Sequence, residues 1–278
     1  MKVQPVGFVA RWVIFGVLAF LATIALYPLF FMAMSSIKTA TQYIKDPIGL
    51  PNSWTYFENY KAMFTEFGIP RYFWNTFICI VGASILTLSL SIPASFAFAK
   101  ISFPFRGFLR MAMIATLIVP AITFIVPAYV MMAKLDLIST YRVVILLWAA
   151  TTVPSNVFLL SSLMRGIPND ILEAAKIDGA GYWETMRRAV IPLSAPGIVT
   201  VSIFNVTTWW NDLLIPLIFL QTNDKMTVTV GVSTVVGRFS TDIPLLITGL
   251  LLSCLPPLVV YLALQRIIRR GLVIGAVR

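Results

Sequence analysis

The chain has 278 residues, 59% of them apolar and 12% charged, with a net charge of +10 and no histidine. Soluble domains carry about 45–50% apolar and about 25% charged residues. This composition therefore excludes a cytosolic enzyme, a nucleic-acid-binding domain, a secreted disulfide scaffold and a disordered chain, and is that of an integral membrane protein. The lack of histidine also removes His-based zinc sites, general bases and proton relays. The two cysteines, Cys79 and Cys254, lie in apolar runs and read as a pair of inert buried thiols.

Charged side chains are costly in hydrocarbon, so long charge-free gaps mark spans. Six such gaps occur, between Arg11 and Lys38, Arg71 and Lys100, Arg110 and Lys134, Arg142 and Arg165, Arg188 and Asp212, and Asp242 and Arg266. Each is long enough for about 30 Å of hydrocarbon at about 1.5 Å per helical residue. The expected fold class is thus all-α integral membrane with six transmembrane helices. The first run far exceeds the core of about 7–15 residues in a signal peptide and reads as a span. The fifth is expected to run past Asp212 to Leu220. With the N-terminus inside, the inner segments carry a charge of +9 and the outer segments +2, with Asp212 separate. Lys and Arg concentrate on the cytoplasmic side, so both termini are expected in the cytoplasm.

The first external loop, about 35–74, holds Trp54, Tyr56, Phe57, Tyr60 and Phe64. Apolar residues near helical spacing predict a short amphipathic helix over 56–67. It reads as an interfacial packing helix or as a docking surface for an outside partner. The inner loop Lys100–Arg110 reads as a simple connection. The next inner loop, about 165–195, is far longer than the usual 2–8 residues between bundled helices. Gly166 and Pro168 stop the fourth span. Asp170 can N-cap a helix over 171–178, with Glu173 completing a capping box. Gly179-Ala180-Gly181 ends that helix, where glycine can take the left-handed conformation. A second helix, 182–191, allows Glu184 to pair with Arg187 or Arg188; Pro192 and Pro196 are expected to end it and start the fifth span. Small residues thus crowd an exposed corner. It is either a packing elbow or a site where another protein's backbone comes close.

In the fifth span, Asn205, Thr208 and Asp212 recur at helical spacing, joined by Trp209 and beside Asn211. This polar stripe reads as interhelical hydrogen bonding or as the lining of a translocation path. Prolines 28, 93, 120, 127, 154, 216, 256 and 257 favour kinked helices around a cavity. No phosphate-binding Gly-x-x-x-x-Gly-Lys-Ser/Thr occurs, so this chain is not expected to hydrolyse ATP. Asp212 is the sole ionisable residue within a span, which argues against an ion-driven carrier or channel. A membrane enzyme would need a catalytic constellation, and none is evident: no catalytic residue and no metal site is assigned.

Glu173-Ala174-Ala175-Lys176-Ile177-Asp178-Gly179-Ala180, followed by Ile191-Pro192-Leu193, resembles the EAA loop of ABC importer permeases. The Glu, both Ala, the Gly and the Pro fall in register, while Ala189 and Ile191 stand where the family has Ile and Leu. Trp210-Asn211-Asp212-Leu213 with Pro216 resembles a stretch of carbohydrate-uptake permeases. Asn59-Tyr60, Arg270-Gly271-Leu272 and Gly275-Ala276-Val277 are similar to the shorter maltose-type permease subunit. The resemblance implies a type I ABC importer transmembrane fold in a bacterial or archaeal cytoplasmic membrane. Residues 1–70 would be the first helix and external loop, 71–266 the transmembrane domain, and 267–278 a cytoplasmic tail. It implies a permease, not an enzyme, moving a sugar or related polyol or sugar phosphate passed on by an external binding protein. Glu173, Ala174, Ala175, Asp178, Gly179 and Ala180 would form the coupling helix that sits in a cytoplasmic ATPase subunit, and Asn205, Thr208, Trp209, Asn211 and Asp212 the translocation path. No cofactor would be bound by this chain; ATP and Mg would be used by the ATPase. A second, similar permease subunit would complete the path.

Overall fold

A computed structural model describes residues 7–238 and 242–276, without the side chains of 235–238, 264 and 266–276. Lys2, Val277 and Arg278 lie outside the described residues. Among the described residues the regular elements are all helical. In chain order they are α1 Phe8–Ser36, α2 Ala40–Lys45, α3 Glu58–Thr65, α4 Ile69–Lys100, α5 Arg106–Ile118, α6 Ile125–Lys134, α7 Tyr141–Arg165, α8 Asn169–Ile177, α9 Tyr182–Thr185, α10 Ile191–Trp210, α11 Leu214–Phe219, α12 Val228–Arg238 and α13 Ile243–Ala276.

Five helices are long and apolar enough to cross a membrane: α1, α4, α7, the run Tyr182–Trp210, and Ile243–Ala263 within α13. The third charge-free gap differs from a straight span. It forms α5 and α6, bent by 95° through a short 3-10 turn. Pro120 sits at the break with extended backbone (ψ 132°); it supplies no N–H and biases the residue before it away from the helical region. Counted as one broken span, this pair brings the total to the six expected.

The chain divides into two compact units. The first comprises residues 1–69 and 232–255. In it the expected external helix forms as α3, and the loop before it is tied down by buried polar groups. Asn59 donates to the carbonyls of Ser36 (2.8 Å) and Lys38 (2.9 Å). Lys38, 1% exposed, donates to the carbonyls of Asp46 and Pro47. Thr248 also donates to the Ser36 carbonyl. A buried ammonium is tolerable when carbonyls replace its water. Cys254 departs from expectation: Cys79 is buried in the second unit, but Cys254 is exposed, because an apolar helix in a membrane protein need not bury every face within its own chain.

The second unit spans 70–231 and 256–278. Its packing is split along α7 and α10. One cluster joins Cys79, Ile80 and Ala83 of α4 to Val143, Val144 and Trp148 of α7, with Trp209, Phe219 and Leu220. The other joins Phe96 and Ala99 of α4 to Leu160 and Met164 of α7, with Met186, Val190 and Val201. Between them the residues of α7 and α10 turn polar.

Candidate functional site

The loop at 165–195 folds as a helical corner, with corrections to the expected caps. Helix α8 starts at Asn169 behind Pro168, not behind Asp170, and no side chain caps it. Proline's fixed φ and extended ψ of 139° launch the helix at once, leaving Asp170 inside the first turn and Glu173 beyond reach of a capping box. The far end is as expected. Gly179 has φ +80°, its N–H bonds Lys176 O, and the Ala180 N–H bonds Ala175 O at 2.9 Å. This pair of bonds closes the helix as a Schellman motif, which needs a left-handed residue at that position. Glu173, Ala174, Asp178 and Gly179 are exposed, while Ala175 and Ala180 are half-buried.

Pro192 and Pro196 do not end the second helix, which runs unbroken from Tyr182 to Trp210. A π-helical segment, Met186–Val190, absorbs the first proline. There the Ile191 N–H bonds Met186 O, five residues back. The wider turn relieves the clash that a proline ring makes with the carbonyl four residues earlier. Glu184 pairs with Arg188 at 3.0 Å. The corner also exposes Ile177 (86%), Tyr182 (71%) and Trp183 (67%), which sequence reasoning passed over. Large apolar groups on a charged loop were the available signal. A groove of about 390 Å³ runs between this corner and the end of α4, lined by Phe96, Lys100, Leu172, Glu173, Lys176 and Tyr182 among others.

The second candidate region is the polar layer between the two packing clusters. Helix α10 stops at Trp210, so the fifth span does not continue as one helix to Leu220. Asp212 sits at the break, four residues before Pro216, which has no N–H for the Asp212 carbonyl; the Thr229 hydroxyl donates to that carbonyl instead. One carboxylate oxygen accepts from the N–H groups of Leu214 (3.0 Å) and Ile215 (3.4 Å), the first donors of α11. The other accepts from the Trp148 indole at 2.6 Å. An acid that bonds the following amides competes with helix continuation. Asp212 therefore leaves the helical stripe, though it stays near Thr208 and Trp209. With Trp148, Thr151 and Thr152 these three form one wall of a cavity of about 320 Å³ that is otherwise apolar, lined by residues such as Phe124, Ile125, Leu147 and Phe219. Trp148 and Trp209 stack at 5.8 Å between centroids, 8° from parallel.

A neighbouring cavity of about 370 Å³ shares Thr151, Thr152 and Thr208 and adds Ser155, Asn156 and Asn205. Among the described residues no charged side chain lines it. Asn156 is 2% exposed, and its amide nitrogen has no hydrogen-bond partner among the described residues. Asn205 is 7% exposed. Of the stripe residues, Asn211 lines neither cavity and donates to Thr207 O instead. The α7 partners Trp148, Thr151, Thr152, Ser155 and Asn156 were missed in sequence; their spacing of three and four within an apolar span was the usable signal.

These features define a polytopic, all-helical membrane protein with a structured loop on its basic side. Residues 91–274 match the family described as binding-protein-dependent transport system inner membrane component, and the chain belongs to that family. It is 32% identical over 247 residues to the diacetylchitobiose uptake system permease protein NgcG of Streptomyces coelicolor, covering 88% of this chain and 82% of that protein. It is 28% identical to the arabinooligosaccharides transport system permease protein AraQ of Halalkalibacterium halodurans, covering 100% and 99%. Its fold is similar to that of a bacterial ABC transporter involved in the import of the acidic polysaccharide alginate, with a TM-score of 0.80, 19% identity, and 95% and 99% coverage. The type I importer fold and a multi-pass place in the cytoplasmic membrane follow from the family and this likeness. Its relatives are transport permeases rather than enzymes.

Proposed function

We propose that this chain is one permease subunit of an ATP-driven importer for a neutral carbohydrate or polyol. The observation that carries the reading is the corner at Gly179, a left-handed turn between the short α8 and the long helix that begins at Tyr182, which presents Glu173, Ala174, Asp178 and Gly179 outward, in a chain of this family. Small side chains at a rigid turn let a partner's backbone approach closely, and Ile177, Tyr182 and Trp183 supply apolar anchors. The partner is a cytoplasmic ATPase subunit, which binds ATP with Mg and supplies the driving force. A second permease subunit completes the path, and an external binding protein delivers the substrate.

The polar layer is this subunit's share of that path. Asn156, Asn205, Thr208 and Ser155 offer neutral donors and acceptors suited to hydroxyl groups, and the Trp148–Trp209 pair offers flat faces. The one charge lining these cavities among the described residues, Asp212, is held by the Trp148 indole and two backbone amides. A neutral sugar or polyol fits this lining better than a sugar phosphate, since a phosphate would enter without a cationic partner. The named substrates of the two permease relatives, diacetylchitobiose and arabinooligosaccharides, are consistent with that class.

Copurification tests the assembly. The tagged chain, extracted in mild detergent, should bring down an ATPase, a second permease and a binding protein. The sugar retained by that binding protein then identifies the substrate. Transport by this chain alone in vesicles without ATP, or recovery of the chain without an ATPase, refutes the reading.

A further inference from the structure

Helix α4 joins the two ends of the second unit, and a polar side chain grips each end. At the cytoplasmic end Lys100, its last residue, donates to Arg165 O (3.4 Å), Ile167 O (2.5 Å) and Asn169 Oδ1 (2.8 Å). Those acceptors are the last residue of α7, the linker that follows, and the first residue of α8. Carbonyls at a helix C-terminus lack partners within the helix and attract cations. One ammonium thus binds together the ends of three helices.

At the other end Asn75, 2% exposed, donates to Asp224 O and Met226 O, both at 2.9 Å, and accepts from the Tyr141 hydroxyl at 2.8 Å. Thr76, 1% exposed, accepts from the Val228 N–H at 2.9 Å. Both side chains hold residues 222–228, the loop before α12 together with that helix's first residue (the 222–228 loop). Asn75 and Lys100 are separated by about 38 Å of helix at about 1.5 Å per residue, and α4 stays one helix across Pro93.

We propose that α4 is a coupling strut, which carries movement of the α8 corner through Lys100 to the 222–228 loop through Asn75 and Thr76. This rests on the reading that the 165–195 loop docks an ATPase. The physical reason is stiffness. Helix α8 is joined to α7 by Gly166-Ile167-Pro168, a linker able to absorb a displacement by rotating its dihedrals. Charge-assisted bonds from Lys100 to both sides of that linker remove the slack. The Phe96 and Ala99 contacts with Leu160, Met164 and Met186 keep the inner end of α4 in register with its neighbours. Lys100, Asn75 and Thr76 are positioning residues; no contact with substrate or nucleotide is assigned to them.

A spin label at Asn223→Cys, on the exposed part of the gripped loop, reads the far end in a Cys254→Ser background. The intact importer, copurified through this chain and placed in nanodiscs, is compared before and after trapping with ATP and vanadate. Trapping should change the label's spectrum in the parent. In Lys100→Met and in Asn75→Ala the change should fall about fivefold or more, the low end of ordinary coupling between sites. Lys100→Arg, whose fork reaches two carbonyls, should retain it. The double variant Lys100→Met with Asn75→Ala should lose no more than either alone, because both cut one strut. The ATPase should copurify with every variant. A parent-like response in Lys100→Met or in Asn75→Ala, or additive losses in the double variant, overturns the strut while docking stands. Failure of the ATPase to copurify with the parent overturns docking and the strut together.

Discussion

Replacing Asp212 by leucine tests how the polar layer is built. Its carboxylate accepts the first two amides of α11 and the indole of Trp148, which is 1% exposed. Losing a helix-start acceptor costs about 1 kcal/mol. Leaving a buried indole N–H without a partner costs about 1–3 kcal/mol more. A leucine side chain at this position supplies neither acceptor, so Asp212→Leu should destabilise the chain by roughly 2–4 kcal/mol. Asn keeps one acceptor oxygen for the α11 amides but turns a donor toward the Trp148 indole, so Asp212→Asn should lose about 1–3 kcal/mol, less than the leucine variant. The assay is unfolding of the purified chain from mixed micelles by SDS, followed by Trp fluorescence, which the stacked Trp148–Trp209 pair makes sensitive to this region. Uptake in vesicles is measured in parallel, where the asparagine variant should alter rate or substrate range and the leucine variant should lose more. Equal unfolding midpoints for Asp212→Leu and the parent would refute the argument that the carboxylate organises α11. Parent-like uptake by both variants at all substrate concentrations would remove the path role from Asp212.

Gly179→Trp should insert at normal levels yet lose ATP-dependent uptake, because a side chain at φ +80° costs about 1–2 kcal/mol and bulk blocks the corner; immunoblots beside uptake check it, and full uptake removes the docking role. Glu173→Lys should behave the same way through charge reversal on the exposed face. Reporter fusions at both termini should report cytoplasmic locations, from the excess of Lys and Arg in the inner segments; an external C-terminus would break the six-span count. Maleimide in detergent should label Cys254 and spare Cys79, which mass spectrometry resolves, since one is exposed and the other buried.

Composition and charge spacing determined the membrane class and the span positions, because hydrocarbon penalises charge wherever the chain folds. The corner was legible for a similar local reason. Gly179 has to take a left-handed conformation to close α8, and only nearby residues enter that requirement. Tertiary structure decided the rest. Pro192 looked like a helix end, but a π-helical turn carries the helix through it. Asp212 looked like the edge of a stripe on α10, but the Trp148 indole, 64 residues away, and the α11 amides draw it out of the helix. Asn156 and Asn205 line one cavity only because α7 and α10 pack together. Lys100 looked like the boundary of a simple connection, and its three acceptors lie 65 to 69 residues further on. Local preferences can be read from neighbours in sequence. The partner of a long polar side chain is set by which helices meet, and that is fixed only when apolar faces on distant segments find one another.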